Sequence, residues 1–421
     1  MSNTASNAAL KTGLVFFARL LGPFLIALMI CMPAITAAFG LWQVSAIPGA
    51  IVFGAAIVSA AFMLGWVGEA AELDLKGGLA VGLLAIVTVL PEYVVSVYFA
   101  FAAGSDPSMI PYASANLTGA NRLLLGFGWP AVALIGFLAV RAGLVKKKKN
   151  EKFGIEIDDE AKNDLGFLLY ASVIALLIPL TGQMHLLVGV VLIAIFGAYL
   201  WRQSHADREE PELEGTAAYV GALSPWARRV FILVVFLLSA FIIFIAAEPF
   251  AHHLLEAGRQ SGLDEYLLVQ WLAPIASEAP EFSLALLFAA RGKPTMGLAI
   301  LISSKVNQWT ALTGSLPIGY VVGGGMGAAL PMSDPRQIDE FMLTIAQTLL
   351  GVALLLGMRL GAKGAILLFG LFMVGFVNPD PTFRFWLAMV YFVLTAVVTW
   401  YYRSNIVSVL KAPFQLPKRL V

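Results

Sequence analysis

The sequence predicts an all-α polytopic membrane protein of about 12 transmembrane helices, built as two inverted five-helix repeats plus one extra helix at each end. Three observations carry that prediction: an apolar composition, a one-sided distribution of basic residues, and an internal repeat that puts a Pro-Glu pair in each half. Hydrophobic residues are 59% of the 421 and charged residues 13%, about half of the ~25% typical of soluble domains. So few polar side chains cannot coat a globule of this length.

A spanning helix needs about 17–25 mostly apolar residues. Such runs occur at 15–40, 48–70, 77–103, 109–143, 164–181, 183–201, 228–251, 264–290, 295–330, 338–358, 363–379 and 384–402. The first, Leu14 to Phe39, is too long for a cleavable signal and is read as a retained helix. The fourth and ninth are long and interrupted by Pro and Gly, and each counts as one kinked or broken element. With that count and a cytoplasmic N-terminus, one side receives Lys11, Lys76, the lysines at 146–149, Arg228, Arg229, Arg291, Lys293, Lys418 and Arg419. The other side receives only Arg259, Arg336 and Arg384. Lys/Arg-rich loops are cytoplasmic, so the expectation is a multi-pass protein of the plasma (inner) membrane with both termini cytoplasmic. The loops 144–163 and 203–227 read as solvated, topology-setting charge.

The same composition excludes several function classes. A net charge of +1 gives no field for nucleic acid. The lone Cys31 rules out a disulfide framework or a thiolate metal site, and four scattered histidines do not make a haem or copper centre. No histidine lies near the middle of a predicted helix, and no GxSxG stands in a suitable place, so an intramembrane hydrolase finds no nucleophile–base pair. The expected partners are membrane lipid and small cations. No cofactor and no enzyme activity are expected, and monomer and homodimer stay equally open.

The internal repeat is the most informative pattern. VTVLPEYVVSVYFAFAAG and SANLTGANRLLLGFGWP in the first half answer IASEAPEFSLALLFAARG and ILISSKVNQWTALTGSLP in the second. In each, a hydroxyl residue precedes Pro-Glu by one turn (Thr88, Pro91, Glu92; Ser277, Pro280, Glu281). The next helix carries a hydroxyl residue and then Asn (Thr118, Asn121; Ser304, Asn307), with glycine seven residues on (Gly128; Gly314). The expected division is 1–47 for an extra helix, 48–201 for the first repeat, 202–227 for a cytoplasmic loop, 228–379 for the second repeat, and 380–421 for the last helix and tail. Five helices is an odd number, so the second copy is inverted. Transporters built this way bind substrate near the midplane at interrupted helices.

Ionisable residues deep in a span cost on the order of 2.5–3.5 kcal/mol on insertion scales and mark function by default. Glu92 and Glu281 occupy that place twice over. A proline kinks its helix and frees the carbonyl four residues back, here that of Val87 for Pro91 and Ala276 for Pro280. Carboxylates, the Thr88 and Ser277 hydroxyls, the Asn121 and Asn307 amides and freed carbonyls are the oxygen set that Ca²⁺ takes, and Na⁺ can use the same atoms. Two carboxylates facing each other without a cation repel, so the empty site needs Ca²⁺, Na⁺ or H⁺ for neutrality. Exclusive filling of one site plus alternating access is antiport.

These residues resemble the two signatures of the calcium/cation antiporter superfamily, the sodium/calcium exchanger membrane region. The resemblance runs over about 48–379 and rests on TVLPE with SANLTGAN and SEAPE with ISSKVN. It implies two inverted five-helix repeats, with Glu92 and Glu281 as principal Ca²⁺ ligands and Thr88, Ser277, Asn121 and Asn307 flanking them. Thr118 and Ser304 are implied less directly. The function it implies is Ca²⁺ export in exchange for Na⁺ or H⁺; the alternative is a Na⁺/H⁺ or other cation/proton exchanger without Ca²⁺. The sequence departs from the pattern in three ways. Neither second helix carries Asp; Glu278 adds a carboxylate where its mate is Val89; and Arg122 and Lys305 bring positive charge close to the proposed site. Lys305 either pairs with Glu278 or occupies part of the cation site, and Arg122 either snorkels toward an interface, pairs with a loop carboxylate or tunes the site. Glu69 and Glu248 read as mainly interfacial.

Overall fold

The computed structural model describes residues 2–74, 89–143, 154–205, 213–332 and 334–415. The described residues are helical nearly throughout, and nine helices among them are long and apolar enough to cross a membrane. These match nine of the twelve expected segments. The other three are the third, described over Leu90–Ser105, the ninth, and the eleventh, which is the shorter helix Ala362–Val377.

The ninth segment ends early. It runs through Pro294–Asn307, Gln308–Leu312 and Thr313–Val322 and stops before a glycine-rich turn rather than continuing to residue 330. Gly324 and Gly327 there take φ of 97° and 87°, a region that side chains with a Cβ avoid. Ala329–Pro331 then pairs as a strand. The seventh segment runs longer than its apolar core, from Pro225 to Ser261, and is closed by Gly262 in the left-handed conformation. The Glu265–Ala290 helix passes through Pro280 without a break. In the fourth segment Pro111 and Pro130 open helical pieces, where a missing N–H is tolerated. Its interruption is the single π-helical turn Leu124–Gly128 rather than a break.

Contacts divide the chain into two compact units. The first comprises Met1–Val95, Gln203–Leu263 and Ala276–Pro280. Within it Ala46–Ala71 lies along Pro225–Ser261, so the opening helices of the two expected repeats pack against each other. Small residues permit this approach: His253 stands within 2.5 Å of where a Cβ on Gly49 would be, and it stacks on Phe53 at 5.6 Å. Phe24 adds edge contacts to Trp66 and Phe231 at 5.2 and 5.1 Å. Just past Ala71, Asp74 accepts two hydrogen bonds from Arg228, at 2.6 and 2.9 Å, and one from Arg229 at 3.0 Å. The Arg228 guanidinium, more than Arg229, holds the Asp74 carboxyl below the usual carboxylate range.

The second unit comprises Ser96–Arg202, Asp264–Ile275 and Glu281–Val421. Its centre holds Trp129, Trp309 and Phe341, all without solvent exposure. Pro335–Leu355 packs along Pro381–Tyr401, the extra C-terminal helix. Gly189 and Gly314 abut so closely that a Cβ on either would meet the other's carbonyl oxygen, at 2.6 and 2.5 Å. Two short antiparallel ladders close the ends of helices: β1 (Gly154–Glu156) on β4 (Arg359–Gly361), and β2 (Gln183–His185) on β3 (Ala329–Pro331). Asp334 starts Pro335–Leu355 with a reciprocal capping box to Gln337.

Candidate cation site

The first unit holds Glu92 in the opening turn of Leu90–Ser105, with Pro91 beside it in that turn. The carboxylate is 2% exposed. Val87 and Thr88 lie outside the described residues. The same unit contains the stretch of the Glu265–Ala290 helix that carries Ala276, Ser277 and Glu278, all buried. Its proline packs against a small residue, with the Pro280 Cβ 3.7 Å from where a Cβ on Gly65 would be.

The second unit holds the remaining candidates and brings two pairs of them together. The Ser304 hydroxyl donates to the Glu281 carboxylate in a short hydrogen bond. Lys305 Nζ donates to Asn121 Oδ1 at 2.7 Å and to the Asn121 carbonyl at 3.1 Å. Of the two places sequence offered Lys305, the second unit thus shows one of the candidate cation-ligand amides, and the oxygen implied as a Ca²⁺ ligand receives an ammonium. Asn307 is buried, and its carbonyl accepts from Thr310 Oγ1 at 3.4 Å.

Thr118 and Arg122 take structural partners. The Thr118 hydroxyl donates to the Ser114 carbonyl at 2.8 Å, on its own helix, and accepts from Gln270 Nε2 at 3.5 Å. Arg122 does not snorkel. It is buried, pairs with Glu340 at 2.5 Å and lies 5.3 Å from the Trp271 ring centroid. Glu340 also pairs with Arg384. Arg384, counted as an outer-side charge from sequence, therefore sits wholly buried. Two guanidinium groups around one carboxylate, with Gly375 and Asn378 carbonyls accepting from Arg384 at 3.3 and 3.2 Å, tie four helices together.

Sequence reasoning missed Glu340 and Gln347, whose Nε2 donates to the Arg122 carbonyl at 3.2 Å, and put the buried Arg384 on the outer side. Only a weak signal existed: Glu340 stands two residues inside the segment predicted at 338–358, where a charge reads as interfacial. Also unforeseen are two π-helical turns, Leu124–Gly128 beyond Asn121 and Gln308–Leu312 directly after Asn307. Such turns shift the hydrogen-bond register by one residue and are frequent at functional sites.

The description "Sodium/calcium exchanger protein" fits residues 45–204 and 231–378 of this chain, one stretch in each half. Among solved structures, an H⁺/Ca²⁺ exchanger CAX is similar at 36% identity and a TM-score of 0.87, over 95% of this chain and 98% of that one. A structure of native YfkE is similar at 15% identity and TM-score 0.61, over 90% and 99% of the two chains. The sodium-calcium exchanger NCX_Mj, soaked with Na⁺ and Sr²⁺, follows at 20% identity and TM-score 0.50, over 78% and 97%. The last two speak for the fold alone. No curated relative matches the chain. With a fit across both halves, each enclosing a Pro-Glu signature and its π-helical partner, the chain belongs to the sodium/calcium exchanger protein family.

Proposed function

We propose that the protein is a Ca²⁺/H⁺ antiporter of the plasma (inner) membrane that exports Ca²⁺ by alternating access. The observation that carries the reading is the pair of Pro-Glu carboxylates, one in each family-matched stretch, with Glu281 already receiving a hydroxyl from the following helix. A carboxylate held among apolar helices needs a counter-charge, and a Ca²⁺ ion or protons can supply it in turn. Glu92 and Glu281 serve as principal Ca²⁺ ligands. Ser277, Asn307, Thr88 and the carbonyls of Val87 and Ala276 complete the oxygen set, with Ser304 orienting Glu281. Protons rather than Na⁺ are favoured as coupling ion by the 36% identity to an H⁺/Ca²⁺ exchanger over nearly the whole chain. The absence of Asp from both second signature helices points the same way. The basic loops support a cytoplasmic location for both termini.

Proteoliposomes loaded at one pH and diluted into another test this. An imposed pH gradient drives ⁴⁵Ca²⁺ flux in the wild type, and Glu92→Gln and Glu281→Gln each reduce it by at least about tenfold, the equivalent of ~1.4 kcal/mol. Flux that follows a Na⁺ gradient and ignores pH would replace H⁺ with Na⁺ as the coupling ion. Full transport in both variants would remove the two glutamates from the site.

A further inference from the structure

Lys305 is a whole positive charge without solvent exposure. An ammonium in such a place is costly unless oxygen ligands surround it, and these are built in advance. Asn121 turns its amide nitrogen to the Leu117 carbonyl at 2.9 Å, which leaves Oδ1 facing the lysine. The Asn121 backbone carbonyl, the second acceptor, stands just ahead of the π-helical turn Leu124–Gly128. The Trp309 ring presents its face to Nζ, 4.8 Å from the centroid. That ring is itself fixed, because Trp309 Nε1 donates to Ser172 Oγ at 3.1 Å and the ring stacks on Phe341. Asn121, Trp309 and Ser172 are all fully buried.

Two oxygens of one residue and an aromatic face make a cradle for a singly charged cation. The first copy of the repeat has no such charge, since Gly119 occupies the position of Lys305. We infer that the Lys305 ammonium is a tethered substitute for a monovalent cation at Asn121, and that it bars Na⁺ from those oxygens. The lysine thereby acts as a specificity-determining residue for the coupling ion. A second monovalent cation beside it meets a fixed like charge in a low-dielectric setting, and the repulsion excludes it. A Ca²⁺ ion has Glu281, whose hydroxyl partner Ser304 is the residue next to Lys305. The transport arm of this inference rests on the exchanger reading above, whereas the binding arm stands without it.

Thermal unfolding of the purified full-length protein in detergent, with NaCl against equal choline chloride, tests the binding arm. The wild type and Lys305→Arg show no Na⁺-specific shift. Lys305→Ala and Lys305→Met, which vacate the charge, gain a rise of a few degrees in melting temperature in Na⁺. In proteoliposomes the same two variants acquire Na⁺-sensitive Ca²⁺ flux. Equilibrium ²²Na⁺ binding to the wild type needs no variant, and specific binding there overturns the inference even where the substitutions do not fold. Folded Lys305→Ala and Lys305→Met that ignore Na⁺ as the wild type does also overturn it. Failure of the exchanger reading looks different: the wild type then shows no pH-driven Ca²⁺ flux, and the Na⁺ binding results stand on their own.

Discussion

The two signature helices share a backbone and differ in what they do with charge. Both carry a hydroxyl residue, then Asn, then a π-helical turn. In the first copy Thr118 bonds its own helix, Gly119 presses on the Gln270 carbonyl, and Arg122 is committed to Glu340. In the second, Ser304 reaches across to Glu281, Lys305 takes the oxygens of Asn121, and Gln308 stands where Arg122 would be. Duplication therefore preserved a scaffold while the polar side chains divided the work. The first copy's cation holds helices together, and the second copy's cation sits on a candidate ligand. Proximity to a signature in sequence says little about which of these a charge does.

Substitutions can break this contrast, and the largest effect is expected on the structural side. Glu340→Ala leaves Arg122 and Arg384 buried without their carboxylate. Removing one partner of a buried pair costs about 3–5 kcal/mol, so expression and melting temperature of the detergent-solubilised protein fall sharply, and Glu340→Gln recovers only part. Gly119→Ala comes next. An added Cβ would stand 1.7 Å from the Gln270 carbonyl oxygen, and overpacking of this kind costs about 1–3 kcal/mol or more, whereas Lys305 in the second copy tolerates Ala in the fold. Melting curves of the two variants side by side decide it.

Ser304→Ala and Thr118→Ala make the sharper test. Loss of the Ser304 hydroxyl removes a hydrogen bond to a charged group, worth about 1.5–3 kcal/mol, and weakens Ca²⁺ affinity by roughly tenfold. Thr118→Ala changes affinity by less than about twofold, because its hydroxyl serves its own helix. Equal losses in a Ca²⁺ titration would erase the distinction between the copies. The smallest effect lies away from both signature helices, at Asp74. Its depressed carboxyl contributes stability that is present above the ordinary carboxylate value, ~3.9, and lost as pH falls through the lower folded value. Asp74→Asn flattens that acid limb and costs about 1 kcal/mol at neutral pH, read from melting temperature against pH.

Most of the fold was legible because membrane helices announce themselves by length and apolarity. The ends were less legible. Pro225–Ser261 overruns its apolar run through His252, His253 and Glu256, whose polarity hid ten further helical residues. The Gly323–Gly327 turn looked like the tail of an apolar segment because glycine is neutral in hydropathy. Of the site, the Pro-Glu pairs, Ser304, Lys305 and Asn121 were visible through the repeat. The partnering was not. Arg122 and Arg384 meet at Glu340 from positions more than 200 residues apart, and no local pattern encodes such a meeting. Nor does any residue type mark a π-helical turn.

Those turns also set how each signature helix is aimed. A turn closed by i→i+5 bonds holds one residue more than a turn of the helix around it, so side chains beyond it are rotated relative to those before it. The interval from asparagine to the later glycine is the same in both halves, Asn121 to Gly128 and Asn307 to Gly314, yet one π-helical turn begins at Leu124 and the other at Gln308, directly after its asparagine. The two halves therefore keep the interval and put the rotation at different points along it.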